Sequence, residues 1–251
     1  MSPVATSLIV FACVFGGALV GILLHSVLPE NHLNAETKSI VNLGTGIIGT
    51  MAALVLGLLV ASAKNAYDTQ SNELTDVSSR ILLLDRVLAH YGPETNEARG
   101  LLRGVVGGTI DRMWPQDNTR RSQLDPTTSG GEVVYDKIQE LSPTNETQHS
   151  LKTEALSLAV SVAQARSLMF EQRSVSISKP LLIIVVFWLS INFISFGLFA
   201  PHNATVIATL FLCGLAVSGA IFLILELYSP FTGIIQISSA PMRNALTHLG
   251  H

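Results

Sequence analysis

The residues best placed to do chemistry share one face of a charge-free apolar stretch, residues 39–63. When the stretch is projected as a helix, small and polar side chains occupy a single arc of about 120°. That arc holds Asn42, Thr45, Gly46, Gly49, Ala53, Gly57 and Lys64. Bulky apolar side chains such as Ile47, Met51 and Leu54 lie opposite. In a membrane-spanning helix, such a small face is either a close contact between helices or the lining of a water path.

Both interpretations of this face stay open from the sequence. A small-xxx-small ladder, which is typical of closely packed helices, is formed by Gly49, Ala53, Gly57 and Ala61. Alternatively, copies of the helix from several subunits surround an axis and line a pore. Leu56 and Val60 would then form an apolar constriction that gates by dewetting, and Lys64 at the inner mouth would favour anions.

The distribution of charge shows which elements position this face. Charged residues make up 13% of the 251 residues, about half of the ~25% typical of soluble domains. Of the 33 charged residues, 28 lie between residues 64 and 179, so two charge-poor blocks flank one charge-rich block. This pattern excludes a single water-soluble globule and indicates a membrane protein with a polar insert.

The apolar stretches predict an all-α membrane protein with four transmembrane helices, at about residues 4–28, 39–63, 181–200 and 204–225. The first pair occupies residues 1–63 and the second pair residues 180–226. A helical cytoplasmic region, residues 64–179, lies between the pairs, and residues 227–251 form a cytoplasmic tail. Both termini are expected in the cytoplasm, because 14 of the 15 lysines and arginines fall on their side of the membrane.

The polar insert is expected to be helical. Apolar residues at 3-4 spacing, namely Leu74, Val77, Ile81, Leu84 and Leu88, predict that the second span continues as an amphipathic helix to about residue 90. Further helices are predicted at 94–114, 132–141 and 146–177, with a last short helix from about 238. The same leucine-spaced stripe motivates an alternative function, a non-conducting membrane scaffold or sensor whose cytoplasmic helices bind a partner.

Enzyme and nucleic-acid functions have no support in the sequence. There is no HExxH, CxxC, phosphate loop or nucleophile elbow, so no catalytic residue, metal site or cofactor is expected. A G-x-G-x-x-G match at residues 44–49 lies inside an apolar span without a preceding strand, which argues against a dinucleotide site. The 64–179 block carries 13 basic and 15 acidic residues, so it lacks the basic face that nucleic acids require.

Three segments carry a family resemblance: residues 79–103 (SRILLLDRVLAHYGPETNEARGLLR), 187–206 (FWLSINFISFGLFAPHNATV) and 223–246 (LILELYSPFTGIIQISSAPMRNAL). They resemble the bacterial bestrophin-like domain family, and the FGLFAP-x-NAT and ISSAP signatures are its more specific parts. The resemblance spans nearly the whole chain. It implies a multi-pass protein of the bacterial inner (plasma) membrane.

Kinship with bestrophins, which are pentameric anion channels, carries further implications. Bestrophins have four membrane helices in each subunit, a pore lined by the second helix, and a helical cytosolic part. The resemblance therefore implies a homo-oligomer, favours a pentamer, and makes small inorganic ions such as chloride the expected passengers. The layout of two spans, a helical insert and two spans agrees with that plan.

Overall fold

The computed structural model describes residues 2–29, 34–114, 130–172, 178–201 and 203–250. All regular structure in these ranges is helical, which confirms the predicted all-α class. The α-helices are α1 (Pro3–Val27), α2 (Ala35–Tyr91), α3 (Asn96–Met113), α4 (Gly130–Gln139), α5 (Glu146–Gln172), α6 (Lys179–Phe199), α7 (Ala204–Leu227) and α8 (Ala240–His248). A 3-10 turn, Pro93–Thr95, precedes α3.

Helices α1, α2, α6 and α7 are each long and apolar enough to cross a membrane, as the sequence predicts. Helix α2 runs for 57 residues without interruption, which confirms that the second span continues as a polar-sided helix to about residue 90. The predicted helix at 146–177 is found as α5, while residues 173–177 lie outside the described residues.

The chain divides into two compact units. We call Met1–Ala66 with Ser176–Tyr228 the membrane unit, and Tyr67–Val175 with Ser229–His251 the charged unit, because the second holds nearly all the charged side chains. The C-terminal tail belongs to the charged unit, where Met242 and Leu249 are buried in its core.

Glycines bring α1 and α6 of the membrane unit into close contact. A methyl group added at Gly17 would lie 3.1 Å from the carbonyl oxygen of Ser190. A methyl group at Gly21 would overlap the carbonyl of Ile194, and one at Gly197 would overlap the carbonyl of Ala18. Because backbone atoms cannot move aside cheaply, only glycine fits at positions 21 and 197, and a side chain at position 17 would be tightly packed.

Helix α7 packs on another side of α1 through aromatic rings and one interhelical hydrogen bond. The ring of Phe211 makes edge contacts with Phe11 and Phe15 at centroid distances of 5.4 and 5.5 Å. The hydroxyl of Ser218 donates a 2.7 Å hydrogen bond to the carbonyl of Ser7. The hydrogen bond satisfies the hydroxyl of Ser218, which would otherwise lack a partner in hydrocarbon.

The core of the charged unit is formed by large aliphatic side chains. Its fully buried residues include Leu74, Leu84 and Leu88 of α2, Ile138 of α4 and Leu249 after α8. The turn between α2 and α3 is fixed by Gly92, whose φ of 135° favours glycine, and by Thr95, whose hydroxyl donates to the carbonyl of Leu88 at 2.6 Å.

Candidate functional site

One face of the spanning part of α2 packs against the other helices of the membrane unit. Its buried residues are Thr45, Ala52, Leu59 and Ala63. Leu59 and Ala63 pack with Val185 of α6 and Ile224 of α7. The spacing of 7, 7 and 4 residues keeps these positions on one side of the helix, so this inward face fixes how α2 is rotated about its axis.

The adjacent face of α2 is exposed in the single chain. We call it the open face, and its residues are Asn42, Gly46, Ala53, Gly57, Val60 and Lys64. It lies about 100° around the helix from the inward face, because successive residues advance by about 100°. An added methyl group at Gly46 or Gly57 would meet no heavy atom within 4 Å. The small residues there are therefore not used for packing within the chain.

Most of the remaining surface of the span carries bulky apolar side chains. Leu54 and Leu58 are 70% and 62% exposed, and Ile47 and Met51 are exposed beside them. Such residues suit contact with lipid. The span thus has three distinct faces, which are inward, open and bulky.

Three residues of the predicted pore set lie towards the chain's own helices and not on the open face. Thr45 is buried, and its hydroxyl donates to the carbonyl of Val41 at 2.8 Å. A methyl group at Gly49 would lie 3.3 Å from Oδ1 of Asn192 on α6. Leu56 is half-buried and packs against both apolar clusters of the membrane unit. The predicted arc therefore includes the edge of the inward face.

Of the predicted constriction and mouth, Val60 and Lys64 are both exposed on the open face. They are separated by four residues, so they lie one turn apart on the same side of the helix. Towards the other end of the span, the open face continues with Gly57, Ala53, Gly46 and Asn42. The open face therefore has small residues along most of its length, then one apolar residue and one cation. If several copies of α2 surrounded an axis, the small residues would leave room for water, and the apolar and charged residues would form rings that can gate and select ions.

The leucine-spaced stripe that suggested a partner-binding surface is not exposed to a protein partner. Leu74, Val77, Ile81, Leu84 and Leu88 are all buried in the core of the charged unit. The apolar spacing along this part of α2 serves intramolecular packing. The scaffold hypothesis therefore loses the feature that motivated it.

Sequence reasoning missed a buried ion pair in the charged unit. The guanidinium of Arg99 donates from Nε to Oδ1 of Asp85 at 2.8 Å and from Nη2 to Oδ2 at 3.0 Å. The Asp85 side chain is 1% exposed, and the hydrogen bonds that Arg99 donates to its carboxylate raise the pKa of Arg99. The sequence signal for this pair is an aspartate before, and an arginine after, the Gly92-Pro93 turn. The pair joins α2 to α3, so we assign it a structural role.

The comparison with protein families agrees with the resemblance seen in the sequence. A family model described as the Bestrophin-like domain matches residues 12–242 of the chain. No curated protein and no solved structure matches the chain.

Proposed function

The chain belongs to the bestrophin-like domain family, and we propose that it forms a homo-oligomeric, anion-conducting channel whose pore is lined by the open face of α2. Family membership supports a channel, since bestrophins conduct anions. The kinship favours five subunits around the axis. The proposed setting is the inner membrane of a bacterium, with both termini and the charged unit in the cytoplasm.

The observation that supports the proposal most directly is the open face itself. It is exposed in the single chain, it lies within a membrane span, and its glycines make no contact in the chain. Gly46 and Gly57 share this face with Ala53, so it keeps a narrow side-chain profile over about three turns of the span, which suits close approach to other copies of α2 around an axis. A lipid-facing role does not suit the open face, because the amide of Asn42 would be costly in hydrocarbon.

Within the proposed pore, Val60 supplies the apolar constriction and Leu56 packs behind it. A ring of valines can dewet and close a pore without a moving gate. Lys64 follows one turn later at the cytoplasmic mouth, and a ring of ammonium groups there would raise the local concentration of anions. The positive-inside rule supports this orientation, since basic residues are concentrated on that side.

Chloride flux from liposomes that contain the purified protein tests the proposal. We expect flux from the native protein, and we expect Lys64→Glu to lower its preference for chloride over sodium, because the ring at the mouth changes sign. Lys179→Glu is the matched control, since Lys179 is an exposed lysine at the start of α6 and is not part of α2. Absence of flux with or without cytosolic extract would overturn the proposal, and so would equal selectivity changes in both variants.

A further inference from the structure

The charged unit contains a cavity that the proposed channel does not use. Its volume is about 250 Å³, and it opens between α2, α3, α4 and α5. Most of the lining is aliphatic, including Leu74, Ile81, Leu102 and Val162. Packed protein interiors contain few voids larger than a water molecule, so a cavity of this size needs an explanation.

The cavity has one polar end. Arg166 of α5 provides a guanidinium there, with Nη1 3.7 Å from the position that a methyl group at Gly131 would take, in the first turn of α4. The hydroxyls of Thr109 and Ser167 also line the cavity, but they donate to the carbonyls of Val105 and Ala163. Arg166 is therefore the group that would recognise an anion, since a guanidinium has five donors and can hold a carboxylate alongside other contacts.

The charge of Glu132 restricts the anion. Its carboxylate is exposed, and it lines the same end of the cavity, in the first turn of α4. A doubly charged phosphate would be repelled more strongly by this carboxylate than a singly charged group would be. The polar end therefore fits a monocarboxylate better than a phosphate monoester.

The volume sets the size of the apolar part. An apolar cavity of about 150 Å³ accommodates benzene, so about 250 Å³ provides room for about eight to ten carbon atoms. We infer that the cavity between α2, α3, α4 and α5 binds a medium-chain monocarboxylate, with its carboxylate at Arg166 and its hydrocarbon chain among the aliphatic side chains. The site lies entirely within the charged unit, so the inference holds whether or not the protein conducts ions.

Photolabelling of the full-length protein in lipid nanodiscs tests this inference. A decanoate analogue with a diazirine near the end of its chain is the probe, and mass spectrometry locates the label. We expect label on the cavity-lining parts of α2, α3 or α5, with competition by decanoate and much weaker competition by decanol. Label confined to residues of the membrane spans would overturn the inference, because it would report only partition into lipid.

Variants separate the head-group contact from the hydrocarbon contact. We expect Arg166→Gln to weaken competition by decanoate about tenfold or more, with little change for decanol. Arg80→Gln is the matched control, because Arg80 pairs with Asp76 on the exposed side of α2. Ala159→Phe should fill the cavity and abolish labelling, and Val162→Phe provides a second filling variant should the first fail to fold. Unchanged labelling in a folded filling variant would contradict the site.

Discussion

Gly21 of α1 and Gly57 of α2 are both glycines inside membrane spans, but their surroundings are opposite. A methyl group at Gly21 would overlap the backbone of α6, whereas one at Gly57 would meet no atom within 4 Å. The α1–α6 contact therefore uses its glycines to hold the chain together. The open face of α2 leaves its glycines unused in the single chain, which is what a surface completed by other subunits requires.

The same contrast applies to ion pairs in the charged unit. Asp85 and Arg99 form a buried pair, whereas Asp76 and Arg80 form a pair that is largely exposed on α2. Removing one partner from the buried pair leaves a charge with little water around it. We therefore expect substitutions of buried residues to lower the stability of the protein. Substitutions of residues on the open face should instead change ion flux.

The largest expected effect is at the α1–α6 contact. Gly21→Val should destabilise the protein by more than about 3 kcal/mol, because its side chain would collide with backbone atoms that cannot move aside. Gly16→Val is the matched control on the same helix, since a methyl group at Gly16 meets nothing within 4 Å. Thermal denaturation in one detergent measures both variants. Equal loss of stability in the two variants would show that Gly21 has no special role in the α1–α6 contact.

The next largest effect is expected at the buried ion pair. Asp85→Asn should cost about 3 kcal/mol, near the lower end for a broken buried pair, because Arg99 keeps 13% exposure and some contact with water. Asp76→Asn should cost less than about 1 kcal/mol, as is usual for surface pairs. Thermal denaturation of the purified protein measures both. The assignment of a structural role to Asp85 fails if the two costs are similar.

At the open face, function should change without a change in stability. Gly57→Leu should alter the thermal stability of the single chain by less than about 0.5 kcal/mol, because the added atoms meet open space. In a pore, the same side chain would narrow the water path, so chloride flux should fall about tenfold or more. Gly16→Leu, on α1, should leave the flux unchanged. Loss of flux in both variants would mean that the open face has no special role.

The smallest effect is expected at Tyr91. Its hydroxyl is buried, and it has no hydrogen-bond partner among the described residues. Removing this unsatisfied group through Tyr91→Phe should stabilise the protein by about 1 kcal/mol at neutral pH.

Burial, followed by the nearby charge of Glu94, raises the pKa of Tyr91 above its ordinary value. The folded state therefore keeps its phenolic proton at a pH where the unfolded chain loses it. This difference in proton binding contributes to the free energy of unfolding. The contribution is complete below about pH 10 and is lost as the pH rises through the raised pKa of Tyr91. Tyr91→Phe should remove this part of the alkaline loss, which denaturation curves between about pH 9 and pH 12 would show.

Much of the fold could be predicted from the sequence, because its signals are local. Charge-free runs gave the four spans, and the 3-4 apolar spacing through Leu74 and Leu88 gave the extension of α2. Helical projection also located the small side of α2. The projection could not show which edge of the small side meets α6. The rotation of α2 about its own axis is set by residues distant in sequence, such as Asn192 and Val185. For this reason the projection places Thr45, Gly49 and Leu56 on one arc with residues that are exposed in the single chain.

A related reason explains why the sequence could not show that the leucine-spaced stripe is buried within the chain. Periodicity shows that one face of a helix is apolar, but it does not distinguish a face that meets a partner from one that meets the same chain. The buried pair of Asp85 and Arg99 depends on a turn that folds α3 back beside α2. Its 14-residue separation carries no helical or strand periodicity, so pattern analysis alone did not detect it.

We propose that the open face of α2 lines water in an assembly of identical chains. Labelling of single cysteines by a membrane-impermeant maleimide in proteoliposomes tests it, in a background with Cys13→Ala and Cys213→Ala. Ala53→Cys and Leu54→Cys lie at the same depth, and both positions are exposed in the single chain. We predict labelling of Ala53→Cys and none of Leu54→Cys, which faces lipid. Equal labelling of the two, or no labelling of Ala53→Cys, would contradict the account.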